Sequence, residues 1–417
     1  MSTNRIGQRH KNQVYFKDSE LDFYLQAFPL GYQTYGGATV GEAFYAASRI
    51  NEKDPNSWVE EWSNLATRVE EGATRSLEEG HTASARQAYL RAFTYYRTAT
   101  PLLRATDPRF RATWEMMRSC FRKAAELFDP PLEPVAIPFE GKTLPAYFVR
   151  AQDGGAERRP TLIMVGGGET YAEDLYFWGG VGAVDRGYNA LLVDMPGQGA
   201  TPFEGMHHRF DVEVPMGAVL DHLLGRSEVD PERVAAYGVS LGGYIVLRSA
   251  AFEKRIGACA ASTPIVDWHQ ALIDAMPPVL RSAPRFLFGA VTKLGRLFSP
   301  TQQIAFEKFF EWQVGAKDIP DALEKFRPWK VDASEISCPM LCMVGTGEAN
   351  TFKKQTYACY AALRSPKVLR VFTEEEGADA HSQATNLRLA HQAVFDFFDE
   401  AFAWSGSGSE LRLAEGP

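Results

Sequence analysis

The 417-residue sequence is poor in the features that mark secreted and membrane-spanning proteins. It has only five cysteines, an odd number without a paired framework, so reduced thiols are expected. No stretch approaches the roughly 20 apolar residues of a membrane span, and the N-terminus lacks the apolar core of a secretory signal. We therefore expect no membrane partner and a cytoplasmic location.

The sequence also lacks the signatures of nucleic-acid and metal binding. Its net charge of -8 argues against nucleic acid or an anionic membrane as a partner. Cys338 and Cys342 lie four residues apart, but a zinc site needs a second ligand pair, and their surroundings are typical of a buried strand. We expect no metal and no cofactor, which leaves a small molecule as the natural partner.

The first third of the chain has helical periodicity. Hydrophobic residues make up 45% of the sequence, an ordinary value for a globular protein. Apolar side chains recur at helical spacing, as in Tyr89, Phe93 and Tyr96, whereas strand signals are scarce. Residues 1–130 are therefore predicted to form an N-terminal helical domain, which is also a candidate surface for a homodimer.

The pattern changes to that of an α/β domain over residues 131–403. An alternating stretch from 135 to 149 predicts a β-hairpin. Short apolar runs then alternate with helices, which predicts a mainly parallel central sheet flanked by helices. These runs are residues 161–165, 190–193, 234–237, 258–261, 340–344 and 368–372.

Two segments depart from this alternation. Residues 268–330 contain no strand signal but many aromatic side chains, among them Phe286, Phe288 and Phe298, which predicts a helical cap inserted between two strands. Residues 404–417 are rich in glycine, serine and charge, so this tail is predicted to be disordered.

A candidate nucleophile lies in the sequence Gly-Val-Ser-Leu-Gly at 238–242. A bare G-x-S-x-G is weak, but an apolar strand precedes this one and an apolar helix follows it, so Ser240 falls on a sharp strand-to-helix turn. The flanking glycines suit such a turn, because a side chain at 238 or 242 would crowd the neighbouring strand or helix. The backbone N–H of Leu241, at the start of the helix, is a candidate oxyanion-hole donor.

Serine needs a base to accept its proton, and His381 is the best candidate among eight histidines. It stands between the last predicted strand and the final helix, in the loop where a general base is expected. The acid that orients it should follow the preceding strand, where Glu348 occurs. Asp267, which follows the strand ending near 261, is the alternative acid or an auxiliary group. Asp379 is too close in sequence to face the histidine ring easily.

A second oxyanion donor is expected after the strand at 161–165. The sequence Gly-Gly-Gly-Glu-Thr follows at 166–170, which we call the glycine loop. Glycines let backbone N–H groups approach a substrate oxygen closely, so Gly167 or Gly168 is the candidate donor. Nothing after these glycines matches a phosphate-binding loop. The turn Asp-Met-Pro-Gly-Gln-Gly at 194–199 is expected to be structural.

With these residues placed, the chain resembles a group of α/β-hydrolases that carry an N-terminal helical domain. The group includes 2,6-dihydroxypseudooxynicotine hydrolase, a fungal polyketide-shortening pigment hydrolase and the FrsA-like proteins. The resemblance covers about residues 18–402 and rests on the glycine loop, the turn at 194–199, the elbow at 238–243 and Gly-Ala-Asp-Ala-His at 377–381. It implies an α/β-hydrolase fold whose helical domain helps to close the active site. Glu348 departs from the aspartate that is commonest there.

The resemblance implies an esterase or a hydrolase of carbon–carbon bonds in β-diketones. The leading hypothesis is a serine hydrolase with a Ser-His-Glu triad, acting through an acyl-enzyme on a hydrophobic, polyketide-like small molecule. An acyl-transfer or cyclisation catalyst would use the same triad. A non-catalytic regulatory protein on a hydrolase scaffold is the third hypothesis. For a carbon leaving group, Asp267 or a cap residue could assist protonation.

Overall fold

The computed structural model describes residues 9–151, 157–276 and 300–403. The chain divides into two compact units. One contains Met1–Lys11, Pro134–Ala283 and Gln313–Pro417, and the other contains Asn12–Glu133 and Pro284–Trp312. Residues 277–299, in the middle of the predicted cap, and the predicted disordered tail lie outside the described residues.

The first unit is built on a single eight-stranded sheet. In chain order the strands are β1 Glu133–Phe139, β2 Lys142–Val149, β3 Arg159–Val165, β4 Asn189–Val193, β5 Val229–Val239, β6 Ala258–Ser262, β7 Met340–Gly345 and β8 Lys367–Phe372. Their order across the sheet is β1-β2-β4-β3-β5-β6-β7-β8. Strand β2 pairs antiparallel with β4, and the pairs from β4 onward are parallel. The prediction of a mainly parallel α/β sheet is confirmed.

Burial explains why these runs become strands. Every residue of β4, β6 and β7 is buried, as expected for parallel strands covered on both faces. The first two strands form a hairpin with a two-residue turn in which Glu140 (φ 46°) and Gly141 (φ 75°) both adopt positive φ. That turn geometry matches the right-handed twist of the strands it joins.

The described helices alternate with the strands in the first unit and dominate the second. In chain order they are α1 Ser19–Leu25, α2 Gly31–Gln33, α3 Val40–Ala47, α4 Pro55–Glu78, α5 Thr82–Ala99, α6 Pro108–Glu126, α7 Val181–Val184, α8 Glu213–Leu224, α9 Leu241–Phe252, α10 Trp268–Ala275, α11 Pro300–Phe306, α12 Ile319–Phe326, α13 Asn350–Ala362 and α14 Leu387–Ala403. No helix within the described ranges is long and apolar enough to cross a membrane.

The second unit owes its helices to local start signals and an aromatic core. The side chains of Asp54 and Asp107 cap α4 and α6, and each cap is followed by a proline in the first helical turn. The stripe predicted on α5 is buried in this unit, and Phe93 packs edge-on against Phe121 at 5.3 Å between ring centroids. Helical periodicity in the sequence therefore corresponds to the packed face of these helices.

The described part of the predicted cap is shared between the two units. Residues 300–312 belong with the N-terminal helices, and Trp312 packs against Phe110 at 5.1 Å between ring centroids. The Lys308 ammonium donates to the Thr100 carbonyl at 2.8 Å. Helices α10 and α12 belong instead to the unit that contains the sheet.

Two buried histidines should make stability depend on pH. Burial lowers the pKa of His208 from 6.5 to about 3 and that of His391 from 6.5 to about 4. As pH falls below 6.5 the unfolded chain takes up protons that the folded chain does not, so stability is complete above that pH and is lost as pH falls towards these values. Each ring should cost about 2 kcal/mol of stability at pH 5.

Urea unfolding at pH 7 and pH 5 checks this expectation. His208 Nδ1 donates to the Pro196 carbonyl at 3.1 Å, a contact that an asparagine amide can retain. His208→Asn should therefore lose less stability between the two pH values than the native protein. His81→Asn, at an exposed position, is the matched control. An unchanged pH dependence in His208→Asn would contradict the expected role of His208.

Candidate active site

Ser240 occupies a strained turn between β5 and α9. Its backbone has φ 57° and ψ -120°, a region that residues other than glycine rarely adopt. Neighbouring backbone atoms come so close to positions 238 and 242 that only glycine fits there. A Cβ on Gly238 would lie 2.1 Å from the Gly242 carbonyl oxygen, and one on Gly242 would lie 2.5 Å from the Val165 and Gly166 oxygens. The turn therefore presents the Ser240 side chain at the carboxyl edge of the sheet.

Gly242→Ala should destabilise the protein, because the added methyl would meet two backbone oxygens that cannot move independently of β3 and the glycine loop. Overpacking of this kind costs about 1–3 kcal/mol or more. A lower melting temperature in thermal unfolding is expected. Gly41→Ala on α3 is the matched control, since a Cβ there would meet nothing within 4 Å. Native-like stability of Gly242→Ala would contradict the close packing of the elbow.

His381 and Glu348 lie beside Ser240 in one hydrogen-bonded chain. His381 Nε2 is 2.9 Å from Ser240 Oγ, and His381 Nδ1 is 2.8 Å from Glu348 Oε2. Since an ionised carboxylate only accepts, Nδ1 carries the hydrogen and Nε2 is left to accept the serine proton. The structure thus brings together the three residues that the sequence nominated as nucleophile, base and acid.

Glu348 is fully buried, and both of its oxygens accept hydrogen bonds. Thr263 Oγ1 donates to Oε1 at 2.9 Å and to Oε2 at 2.6 Å, and the Gly345 N–H donates to Oε1 at 3.0 Å. A buried carboxylate needs such partners to remain charged. Sequence reasoning missed Thr263, whose signal is its position directly after β6, at the same sheet edge.

The candidate oxyanion donors lie on two segments that adjoin at Ser240. Leu241 begins α9, so its N–H belongs to the unpaired first turn of that helix. Gly167 lies against Ser240, because a Cβ on Gly167 would be 2.9 Å from Ser240 Cβ and 3.3 Å from Ser240 Oγ. Gly168 is the next residue along the glycine loop. The elbow and this loop therefore adjoin, as the arrangement of an oxyanion hole requires.

Asp267 and Asp379 have other contacts. Asp267 caps α10 by accepting from the Gln270 N–H at 2.8 Å, and it pairs with the Lys330 ammonium at 3.0 Å. Asp379 contributes its main-chain carbonyl, which accepts from the Gly347 N–H at 3.0 Å. Burial, aided by Glu374, raises the pKa of the Asp379 carboxyl. Neither aspartate replaces Glu348 on His381 Nδ1.

The N-terminal segment contacts the loop that contains His381, which the sequence did not suggest. The Arg9 carbonyl accepts from the His381 N–H at 2.6 Å, and the Arg9 guanidinium pairs with the Glu169 carboxylate at 2.6 Å. Arg9 therefore connects the loop that contains His381 to the glycine loop. The ring centroids of Phe352 and His381 are 5.8 Å apart, so the imidazole has an apolar neighbour.

No group of three or more potential metal ligands occurs within the part of the chain that the structure describes. A serine hydroxyl, an imidazole held in one tautomer and nearby N–H groups suit nucleophilic attack on a carbonyl carbon.

The sequence is similar to those of several named hydrolases over most of its length. Residues 50–299 match the family described as Esterase FrsA-like. Hydrolase LUC6 of a Fusarium species is 30% identical over 401 residues, which cover 89% of this chain and 94% of that protein. The 20-hydroxy-prefusarin hydrolase FUS2 of Gibberella moniliformis is 30% identical over 402 residues, which cover 90% and 94% respectively.

The fold is also shared with a solved structure. The crystal structure of 2,6-dihydroxy-pseudo-oxynicotine hydrolase matches with a TM-score of 0.73 at 22% identity and covers 93% of this chain and 99% of that one. The parallel sheet with a serine elbow after β5 defines an α/β-hydrolase. The chain belongs to the FrsA-like esterase family, and the resemblance inferred from its sequence is confirmed.

Proposed function

We propose that this hydrolase uses Ser240 as its nucleophile, His381 as general base and acid, and Glu348 as the group that orients the histidine. The observation that carries the proposal is the chain of contacts from Ser240 Oγ through the imidazole to Glu348, at 2.9 and 2.8 Å. Both distances lie within hydrogen-bond reach, and the order of donors and acceptors runs in the productive direction.

In the first half-reaction Ser240 Oγ bonds to the substrate carbonyl carbon while its proton passes to His381 Nε2. The carbonyl oxygen becomes an oxyanion that accepts from the N–H of Leu241 and from an N–H of the glycine loop, at Gly167 or Gly168. The carbonyl re-forms as the bond to the leaving group breaks. His381 then returns its proton to the departing oxygen of an ester or to the enolate of a β-diketone.

In the second half-reaction His381 accepts a proton from water, whose oxygen attacks the acyl carbon. Collapse of this second intermediate releases a carboxylic acid and restores the Ser240 hydroxyl. Buried Glu348 stabilises the imidazolium formed at each stage without itself accepting the proton. Every proton taken from a nucleophile is thereby passed to a leaving group.

We infer that the substrate is a hydrophobic small molecule with an ester or a β-diketone group, of the polyketide type that carries alternating carbonyls. A relative of similar length is named for hydrolysis of 20-hydroxy-prefusarin, which supports a small organic substrate. The apolar ring of Phe352 beside the imidazole is compatible with a substrate of that kind.

A panel of p-nitrophenyl esters and aryl β-diketones, assayed in ¹⁸O-labelled water with products identified by mass spectrometry, tests the proposal. Hydrolysis predicts one ¹⁸O atom in the released acid. A product joined to a second nucleophile, or cyclised without the label, would identify an acyl-transfer or cyclisation catalyst instead. Absence of turnover across both substrate classes would contradict the substrate class.

A further inference from the structure

Side chains from outside the glycine loop hold its carbonyl groups. Gln198 Nε2 donates to the Gly166 carbonyl and, at 3.0 Å, to the Gly167 carbonyl. Gln313 Nε2 donates to the carbonyl of Gly168. Both glutamines are buried, at 1% and 5% exposure. The carbonyls of three consecutive glycines are thus held by amide donors.

The orientation of the Gln198 amide is itself determined by its contacts. Its Oε1 accepts from the Met195 N–H at 3.0 Å, so Nε2 must face the two glycine carbonyls. The turn is closed by Thr201 Oγ1, which donates to the Gln198 main-chain carbonyl at 2.7 Å. The turn at 194–199 therefore presents a rigid pair of N–H donors to the glycine loop.

In a trans peptide unit, the C=O of one residue and the N–H of the next residue point in opposite directions. Holding the Gly166 and Gly167 carbonyls against Gln198 turns the N–H groups of Gly167 and Gly168 away from it. Glycine peptides rotate with little steric hindrance, and a rotated peptide would present a carbonyl where the oxyanion needs a donor. Gly167 is also the residue packed against Ser240.

We propose that Gln198 is a positioning residue that keeps the N–H groups of the glycine loop aimed at the substrate oxygen. The inference rests on the proposed function, since it concerns the oxyanion formed after attack by Ser240. The sequence predicted only a structural role for the turn at 194–199. In this proposal Gln198 of that turn also contributes to transition-state stabilisation, through the glycine loop.

The test compares Gln198→Met with Gln355→Met. The first keeps the volume of the side chain and removes both N–H donors. The second removes the buried amide of Gln355. Its Oε1 accepts from the N–H groups of Val266 and Asp267, which lie outside the glycine loop. Turnover of a p-nitrophenyl ester and inhibition by an aryl trifluoromethyl ketone, which forms a tetrahedral adduct with serine, are the readouts.

In Gln198→Met, kcat should fall by about 10- to 100-fold with KM little changed, because the lost stabilisation appears only in the transition state. The affinity for the trifluoromethyl ketone should fall by a similar factor. Gln355→Met should retain native kcat. A native kcat and ketone affinity in folded Gln198→Met would overturn the proposal, as would an equal loss in both variants.

Gln198→Glu provides a second readout that a structural role would not affect. The carboxyl group keeps the acceptor for Met195 but repels the glycine carbonyls when ionised and donates one hydrogen bond when protonated. Burial raises the pKa of a carboxyl group from its usual value of about 4.3, so the ratio of variant to native kcat should rise as pH falls from 8 to 5, and a flat ratio over that range would count against the proposal. If the native enzyme formed no adduct with the ketone, the nucleophilic role of Ser240 would fail instead.

Discussion

Ser240→Ala should lower kcat/KM for a p-nitrophenyl ester by about 10⁴- to 10⁶-fold, the scale seen when the nucleophile of a serine triad is removed. The alanine keeps the fold of the turn but leaves no oxygen to attack the carbonyl carbon. Because Leu241 and the glycine loop remain, a small rate above that of water should persist. Initial-rate kinetics on purified protein provide the measurement.

Ser249→Ala is the matched control for this experiment. Ser249 is a buried serine that lies on α9, the helix that begins directly after Ser240. Its replacement should leave kcat/KM within about 2-fold of the native value, because it is not in the hydrogen-bonded chain. Retention of native activity in Ser240→Ala would remove the serine mechanism altogether.

Glu348→Gln should lower kcat by about 10³- to 10⁴-fold, the loss expected when a triad acid is replaced by its amide. The amide has one oxygen, whereas both carboxylate oxygens now accept hydrogen bonds. If the amide NH₂ faced His381, Nδ1 would become an acceptor and Nε2 would carry the hydrogen, so the ring could not accept the serine proton. If the amide NH₂ faced Gly345 instead, it would meet the Gly345 N–H, and two donors would face each other without an acceptor.

The matched variant Glu348→Asp keeps the charge and shortens the reach to His381. Its kcat should lie between those of the native protein and Glu348→Gln, with a loss of about 10- to 100-fold that reflects misplacement alone. Circular dichroism on each variant separates a catalytic effect from unfolding. Equal kcat values for Glu348→Gln and the native protein would assign the orienting role to another residue.

The strands, the elbow and the chain order of the candidate residues could be predicted because their signals are local. A fully buried strand needs an apolar run, and a turn as tight as that at Ser240 needs glycine on either side. The hairpin turn at Glu140 and Gly141 is local in the same sense. Such features depend on a few neighbouring residues, so the sequence alone specifies them.

The contacts that support the site could not be predicted, because they join residues far apart in the chain. Thr263 reaches Glu348 over 85 residues, and Gln313 reaches Gly168 over 145. The choice between Asp267 and Glu348 was open for the same reason. Strands β6 and β7 are neighbours, so both acids follow strands that end at one edge of the sheet, and their contacts in the folded protein distinguish them.

Trapping of the acyl-enzyme tests the central claim most directly. A p-nitrophenyl ester is mixed with the protein, the reaction is quenched in acid within milliseconds, and the digested protein is mapped by mass spectrometry. The mechanism predicts an acyl group on the peptide that contains Ser240 and no such group in Ser240→Ala. Turnover of the ester by the native protein without an acyl group on the Ser240 peptide, or with the acyl group on another residue, would contradict the mechanism.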